Sequence, residues 1–340
     1  MAPQDLRSDC LMDGKMTDRL VLVTGSSGFI GGVVRQRFQE LGFRTVGLGR
    51  RKIDAPGYIS HDLTHPLPED LGPFDVVVHA AARSSPWGSR RQFEAANVEA
   101  TRLLLEYCSR HGRPKFIFIS SSSVYYRWAH QFNITENDPL SPRPVNRYAA
   151  SKIRGERLVR QYSGPWVILR PRAVFGPGDT VLFPRILTAA RAGRLRRLVA
   201  HDGPVRGDLI YIDNLVDVIT AAATRPEIVG EFNITNNQPV PIVDFLFDVF
   251  SRLSIPLPKR QVSTRSAMLI AGMLEYCYAA LMPWREPPIT RFGVHVFAYS
   301  KTFNVVKMLD TFGPPRVSLE TGVERFVQWL QTQEREKRIG

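Results

Sequence analysis

Tyr148 and Lys152 are four residues apart in Tyr148-Ala-Ala-Ser-Lys152, a spacing that sets two side chains on one face of a helix. A tyrosine loses its proton near pH 10 in water. An ammonium one turn away favours the phenolate, which would make Tyr148 a usable general acid or base near neutrality. Of the ten tyrosines, Tyr148 alone has lysine at i+4. Upstream, the serine run Ser120-Ser-Ser-Ser123 precedes Val124-Tyr125. A hydroxyl there could hold a substrate oxygen while Tyr148 moves its proton. Taken alone, a serine run is turn material and a Tyr/Lys pair is a solvated helix face. What gives them meaning is their order along the chain.

A proton on oxygen is half of a redox reaction, and the other half needs a carrier. Thr24-Gly25-Ser26-Ser27-Gly28-Phe29-Ile30-Gly31 follows an apolar run, Leu20 to Thr24, and opens a helical pattern. Gly25 permits a tight turn, Gly28 lets a pyrophosphate approach the backbone, and Gly31 lets the helix pack on the strand. Free N–H groups at the helix start, around Ser27, Phe29 and Ile30, would face the anion. The second strand should end at the residue that reads the adenosine ribose. It ends Leu48-Gly49-Arg50-Arg51, without an acid. A carboxylate there suits the 2′-hydroxyl of NAD, whereas guanidinium pairs with a 2′-phosphate. Arg50 and Arg51 therefore favour NADP(H), with NAD(H) the alternative. Asp62 and Leu63, after the next short strand, are placed to contact the adenine.

These residues need a scaffold that brings distant strand ends together. Apolar strand-like runs at Leu20–Thr24, Arg44–Leu48, Phe74–His79, Lys115–Ser120 and Trp166–Arg170 alternate with helical patterns at Phe29–Leu41, Gln92–His111 and Asn146–Tyr162. That alternation predicts an α/β fold, a Rossmann-type doubly wound parallel sheet with ligands beyond the carboxyl ends of its strands. After about Pro177 the rhythm loosens. The division expected is a disordered leader over 1–18, a dinucleotide-binding domain over 19–177, and a smaller mixed α/β substrate lobe over 178–335. Residues 209–235 are expected to fold back in part on the first domain.

Composition sets the outer limits. Of 340 residues, 44% are hydrophobic and 23% charged, which excludes disorder for the bulk of the chain. Cys10, Cys108 and Cys277 are odd in number and far apart, so neither a disulfide framework nor a zinc ribbon is available, and a reducing compartment fits. No metal-ligand pattern appears. The net charge of +13 is carried mostly by arginine. It suits a phosphorylated cofactor or an anionic membrane surface. The lack of long basic blocks interleaved with aromatics argues against nucleic acid.

At this point the chain resembles the extended short-chain dehydrogenase/reductase superfamily. Thr24-Gly-x-x-Gly-x-x-Gly31, His79-Ala-Ala-Ala82, Asn97-Val-Glu-Ala-Thr101, Tyr148-x-x-x-Lys152 and Leu169-Arg-Pro-Arg-Ala-Val-Phe-Gly-Pro-Gly-Asp179 fall in family order across roughly residues 18 to 335. The resemblance implies Tyr148 as acid/base, Lys152 as the nicotinamide-ribose ligand and Ser121 as the catalytic hydroxyl, with Ser122 the alternative. It also implies that Ala80, Ala81, Ala82 and Pro171 line the cofactor groove. Asp208-Leu-Ile-Tyr-Ile-Asp-Asn-Leu-Val-Asp217, Pro287-Pro-Ile-Thr-Arg291 and the ending around Gly313-Pro-Pro look like the 3β-hydroxysteroid dehydrogenase branch. Sugar epimerases usually carry arginine where this chain has Gly207. Sugar dehydratases carry an Asp-Glu pair where Ser122-Ser123 stand here. Many members of the steroid branch prefer NAD, so Arg50 and Arg51 depart from that pattern and point to ketone reduction.

The expected activity is thus an NADP(H)-dependent oxidoreductase interconverting a secondary alcohol and a ketone on an apolar sterol-like, terpenoid or long-chain β-keto substrate. The alternatives are a nucleotide-sugar epimerase with bound NAD(P) and, in another class, a dinucleotide-sensing regulator on the same fold. Ala267 to Trp284 is nearly apolar all round, with Glu275 at its centre and Arg260, Arg265, Arg285 and Arg291 at its flanks. Eighteen residues with a central acid are marginal for a membrane span. Such a stretch suits a helix lying in a membrane interface, a lid over a greasy substrate, or a buried or homodimer contact. The expected location is cytoplasmic, with the inner face of a membrane as the peripheral alternative.

Overall fold

The structure, a computed structural model, describes residues 18–199 and 203–339. All but the last residue of the expected leader, and Cys10 with it, lie outside the described residues.

Seven strands form the central sheet: β1 (Leu20–Thr24), β2 (Arg44–Gly49), β3 (Tyr58–Ser60), β4 (Val76–His79), β5 (Lys115–Ile119), β6 (Trp166–Pro171) and β7 (Gly230–Ile234). Every pairing is parallel, in the order β7-β6-β5-β4-β1-β2-β3. The strands read as continuous apolar runs because both faces are covered. Leu22, Val23, Val77, Val78, Phe116 and Ile117 are all fully buried. The chain direction across the sheet reverses between β1 and β4, and a crevice opens there beyond the strand ends.

The helix Phe29–Glu40 follows β1, and the helix Arg147–Arg160 follows β5. Its start is set by Asn146, whose side chain caps the Ala149 N–H at 2.8 Å. The helix expected over Gln92–His111 is not uniform. A short helix, Arg90–Phe93, passes through a π-helical stretch, Glu94–Glu99, into the helix Ala100–Arg110. Periodicity of apolar residues does not register one extra residue per turn, so the sequence pattern missed it.

Ile210–Tyr211 pairs with Val174–Phe175 in a separate two-stranded ribbon, and Ile212 starts the next helix. A small sheet gathers Val240–Pro241, Arg206–Gly207, Lys301–Phe303 and Gln131–Ile134. The helix Ile242–Arg252 follows Val240–Pro241, the helix Arg291–Ala298 precedes Lys301–Phe303, and the helix Thr264–Leu281 packs on Arg291–Ala298 and on the ribbon of Arg197–Val199 with Gln261–Ser263. Among the described cysteines, Cys108 is buried and Cys277 exposed, and both are free thiols.

Candidate active site

A cleft of about 800 Å³ runs across the carboxyl ends of β1, β4 and β5 and on into the segments that follow β6. Gly25, Ser27, Gly28, Phe29, Ile30 and Gly31 form its floor at the start of the first helix. Gly25 has a φ of +68°, and a Cβ there would lie 2.7 Å from the Ala81 backbone. A Cβ on Gly31 would overlap the Gly25 carbonyl. The helix N-cap, Gly28, offers no side chain to its first-turn N–H groups, which leaves them for an anion. Ala80, Ala81 and Ala82 line the opposite lip, and Pro171 closes the floor beyond β6. The residues present thus fit a dinucleotide: a backbone cradle for pyrophosphate and a narrow, small-residue slot beyond it.

Arg50 and Arg51 are exposed at the rim, immediately after β2. A Cβ on Gly49 would come within 2.8 Å of the Ser27 hydroxyl, so Arg50 is the first side chain that can leave the strand end. The Tyr58 hydroxyl donates to the Arg51 carbonyl at 2.9 Å and fixes this loop. Asp62 and Leu63 line the same end. Partial burial raises the Asp62 carboxyl, but bonds from Thr64 and the nearby Arg50 charge outweigh it and hold the group below its usual range.

Ser121, Tyr148 and Lys152 meet on one wall. The Ser121 hydroxyl faces the Tyr148 phenol and favours its ionised form. Ser121 is itself held by Ser123, whose N–H donates to it at 3.2 Å and whose hydroxyl lies at 2.9 Å. Ser122, the alternative, is buried and bonded to the Tyr126 hydroxyl at 3.0 Å. Lys152 Nζ donates to the Ile119 carbonyl at 2.7 Å and lies 4.7 Å from the Phe118 ring centroid. Burial pushes this lysine down to about 7, against the opposing pull of Glu156.

The expected lowering of Tyr148 by Lys152 does not hold in this structure. Burial raises the phenol above its ordinary value, and the groups that draw it back are the hydroxyls of Ser121 and Ser84. The reason is desolvation: a buried phenolate is costly, and the lysine is spent on a main-chain carbonyl.

Of three further residues of the site, Ser84 and Glu156 had no local signal in the sequence, and Asn97 stood there only as part of a family motif without a role. Ser84 reaches Tyr148 from the loop after β4. Asn97, in the π-helical stretch, accepts from the Arg83 N–H at 2.7 Å and donates to Ser151 at 2.8 Å, so it ties that loop to the Tyr148 helix. Glu156, fully buried beneath Lys152, accepts from Ser120 at 2.6 Å and pairs with Arg170 through two bonds of 2.9 and 2.8 Å. Thr24 and Thr101 flank the buried imidazole of His79 at 2.7 and 3.0 Å, and burial pushes His79 down to about 3. That ring is neutral and structural.

The family model that matches this chain, over residues 21–236, is described as the NAD dependent epimerase/dehydratase family. The chain belongs to that family. A 2-alkyl-3-oxoalkanoate reductase of Stenotrophomonas maltophilia is 30% identical over 323 residues, covering 90% of this chain and 97% of the relative. A decarboxylating sterol-4-alpha-carboxylate 3-dehydrogenase of Mus musculus is 28% identical and covers 90% and 89%. Among solved structures, a UDP-glucuronic acid 4-epimerase of Bacillus cereus in complex with NAD superposes with a TM-score of 0.69 at 23% identity, covering 92% and 96%. That likeness concerns the fold. As a family member, this chain is an NAD(P)-dependent oxidoreductase of the extended short-chain dehydrogenase/reductase type.

Proposed function

We propose that the protein reduces a ketone on a long apolar substrate, β-keto or sterol-like, with NADPH as the preferred reductant, and that Tyr148, Ser121 and Lys152 carry the proton chemistry. The observation that supports this most directly is the pairing of a Ser/Tyr/Lys wall with an apolar far end. Beyond the serine turn the cleft is walled by Phe183, Ile186, Ile242, Phe245, Leu246 and Phe292. Relatives named as a keto reductase and as a sterol dehydrogenase favour the same substrate class.

In this reading the bound nicotinamide supplies the hydride. Ser121 donates a hydrogen bond to the substrate carbonyl oxygen and holds it against Tyr148. Tyr148 delivers its proton to that oxygen as the carbon is reduced. Its raised pKa keeps the proton in place until the alkoxide forms. Lys152 would hold the nicotinamide ribose, and an ammonium so placed would help Tyr148 give up its proton. Glu156 stands behind Lys152 and partly offsets the downward push of burial on its ammonium.

A panel of long-chain β-keto acids, sterol ketones and UDP-sugars, followed at 340 nm with NADPH and NADH, tests the reading. Net oxidation of NADPH with the ketones, and none with UDP-sugars, is expected. Charge-assisted phosphate contacts are worth roughly 10–100-fold in affinity. Arg50→Ser with Arg51→Ser should therefore raise the KM for NADPH by at least tenfold while that for NADH moves less than about threefold. A wild-type preference for NADH would defeat the assignment of these arginines.

The helix Thr264–Leu281 adds a second element to the proposal. Tyr276 is 78%, Leu281 70% and Trp284 81% exposed, with Leu269 and Met273 beside them. Arg260, Arg265 and Arg285 stand exposed at the two ends. No helix among the described residues is long and apolar enough to cross a membrane. Charge complementarity favours an anionic lipid surface as the occupant, with the enzyme on a cytoplasmic face. Co-sedimentation with vesicles containing about a third phosphatidylserine should be strong for the wild type and weak for Leu281→Ser with Trp284→Ser. Equal sedimentation with neutral vesicles, or self-association of the protein without lipid, would argue against it.

A further inference from the structure

A buried guanidinium stands beside the apolar end of the cleft. Arg172, just past β6, lines the cleft and is 6% exposed. Its Nε is buried without a hydrogen-bond partner. Its guanidinium carbon lies 5.4 Å from the Tyr126 ring centroid, and Tyr126 is bonded through Ser122 to the turn that carries Ser121. Lys301 approaches the same ring, with Nζ at 5.6 Å from its centroid, and donates to the Ala129 carbonyl.

Among the described residues, Arg172 has no ion-pair partner at this point. Asp208, fully buried, is the acid that faces Arg172, but it spends Oδ2 on the Phe303 N–H at 2.9 Å, and its Oδ1 has no partner. No carboxylate among the described residues forms an ion pair with Arg172 or Lys301. His295 accepts no proton here, since burial pushes it down to about 4. Lys301 is itself pushed down to about 7 by burial, so Arg172 is the lasting cation in an almost dry pocket, and the acid that faces it makes no ion pair with it. A buried charge without its counterion is strongly disfavoured, and an anion arriving with the ligand would relieve it. A guanidinium whose Nε edge is free also offers the two-pronged geometry that a carboxylate matches.

We infer that Arg172 is the substrate-recognition residue for a carboxylate, and that the substrate is a 3-oxo acid with a long alkyl branch rather than a neutral ketone. The inference rests on the reductase reading above and narrows its substrate class. The carboxylate sits two carbons from the ketone in such an acid. The contacts from Ser121 through Ser122 and Tyr126 to Arg172 join the two positions where those groups would lie, while the chains occupy the Phe245, Leu246 and Phe292 wall.

The test compares three matched substrates with NADPH: a 2-alkyl-3-oxo acid, its methyl ester, and the ketone lacking the carboxyl carbon. Wild type should favour the acid by at least about tenfold in kcat/KM. Arg172→Gln should lose about 10–100-fold on the acid, mostly through KM, and change less than about threefold on the ketone. Arg172→Lys should recover part of the loss. A readout without turnover stands beside it. A 2-alkyl alkanoate, which has no ketone, should raise the Tm of the cofactor-free wild type and leave that of Arg172→Gln unmoved, whereas its methyl ester should move neither.

Equal rates on acid, ester and ketone would overturn the carboxylate assignment and leave the reductase reading standing. If none of the three is reduced, the reductase reading fails first, and the Tm shift still decides what Arg172 binds. An Arg172-dependent Tm shift with UDP-glucose but not with the alkanoate would make the anion a diphosphate and defeat the proposal. Should Arg172→Gln fail to fold, the wild-type comparison of acid and ester decides alone.

Discussion

Tyr148 has its proton held, not loosened, by its surroundings. Its hydroxyl meets Ser121 and Ser84, while the neighbouring lysine is engaged with the Ile119 carbonyl. Tyr148→Phe deletes one oxygen and keeps the ring packing. Turnover should fall by about 10²–10⁴-fold, the usual worth of a positioned acid, while the dissociation constant for NADPH, read by fluorescence quenching, moves less than about twofold. A rate within tenfold of wild type would remove Tyr148 from the mechanism. At this scale the sequence was informative wherever residues act through local spacing, as with the glycines of 25–31 or the i, i+4 pair. Ser84 has no such relation to Tyr148. It arrives by way of the sheet, and only the paired ends of β4 and β5 bring the two loops together.

The π-helical stretch Glu94–Glu99 matters because of what it aims. Asn97 is buried there, holding both the Arg83 N–H and Ser151, and Ser151 in turn donates to the Tyr148 carbonyl at 2.7 Å. One side chain thereby sets the loop that carries Ser84 against the helix that carries Tyr148. Asn97→Ala leaves the part-buried Arg83 N–H unpaired, at a cost of about 1–3 kcal/mol, and takes one of its two bonds from the Ser151 hydroxyl. Chemical denaturation should report that loss, and kcat should fall further than NADPH binding weakens. Loss of stability with unchanged kcat would make Asn97 a scaffold residue alone. The helix around it was legible from its apolar positions. Its irregular turn was not, because a single inserted residue leaves the flanking periods intact.

For the molecule as a whole, buried lysines couple the fold to pH. Lys152 and Lys301 are both pushed down to about 7 from 10.5 by burial. Between pH 7 and 10 they are neutral when folded and protonated when unfolded. The unfolded chain then binds more protons, so stability rises as pH rises across this window. The urea midpoint should climb from pH 7 to about 9.5 in wild type, and climb less in Lys152→Met. A flat or falling profile in wild type would contradict the burial of these charges. The parallel sheet followed from the alternation of strands and helices, though its strand order did not. The small sheet did not, since it gathers two-to-four-residue strands from four distant segments, each too short to carry a period of its own.

The helix Arg291–Ala298 belongs to two surfaces at once. Its Phe292, Val296 and Phe297 wall the cleft, and buried Val294 packs against Ala267 and Ala271 of the outer helix Thr264–Leu281. Whatever presses on the outer helix therefore leans, through a single layer of side chains, on the apolar wall of the cleft. A greasy molecule leaving the outer surface would have one helix thickness to travel before it reached the serine turn.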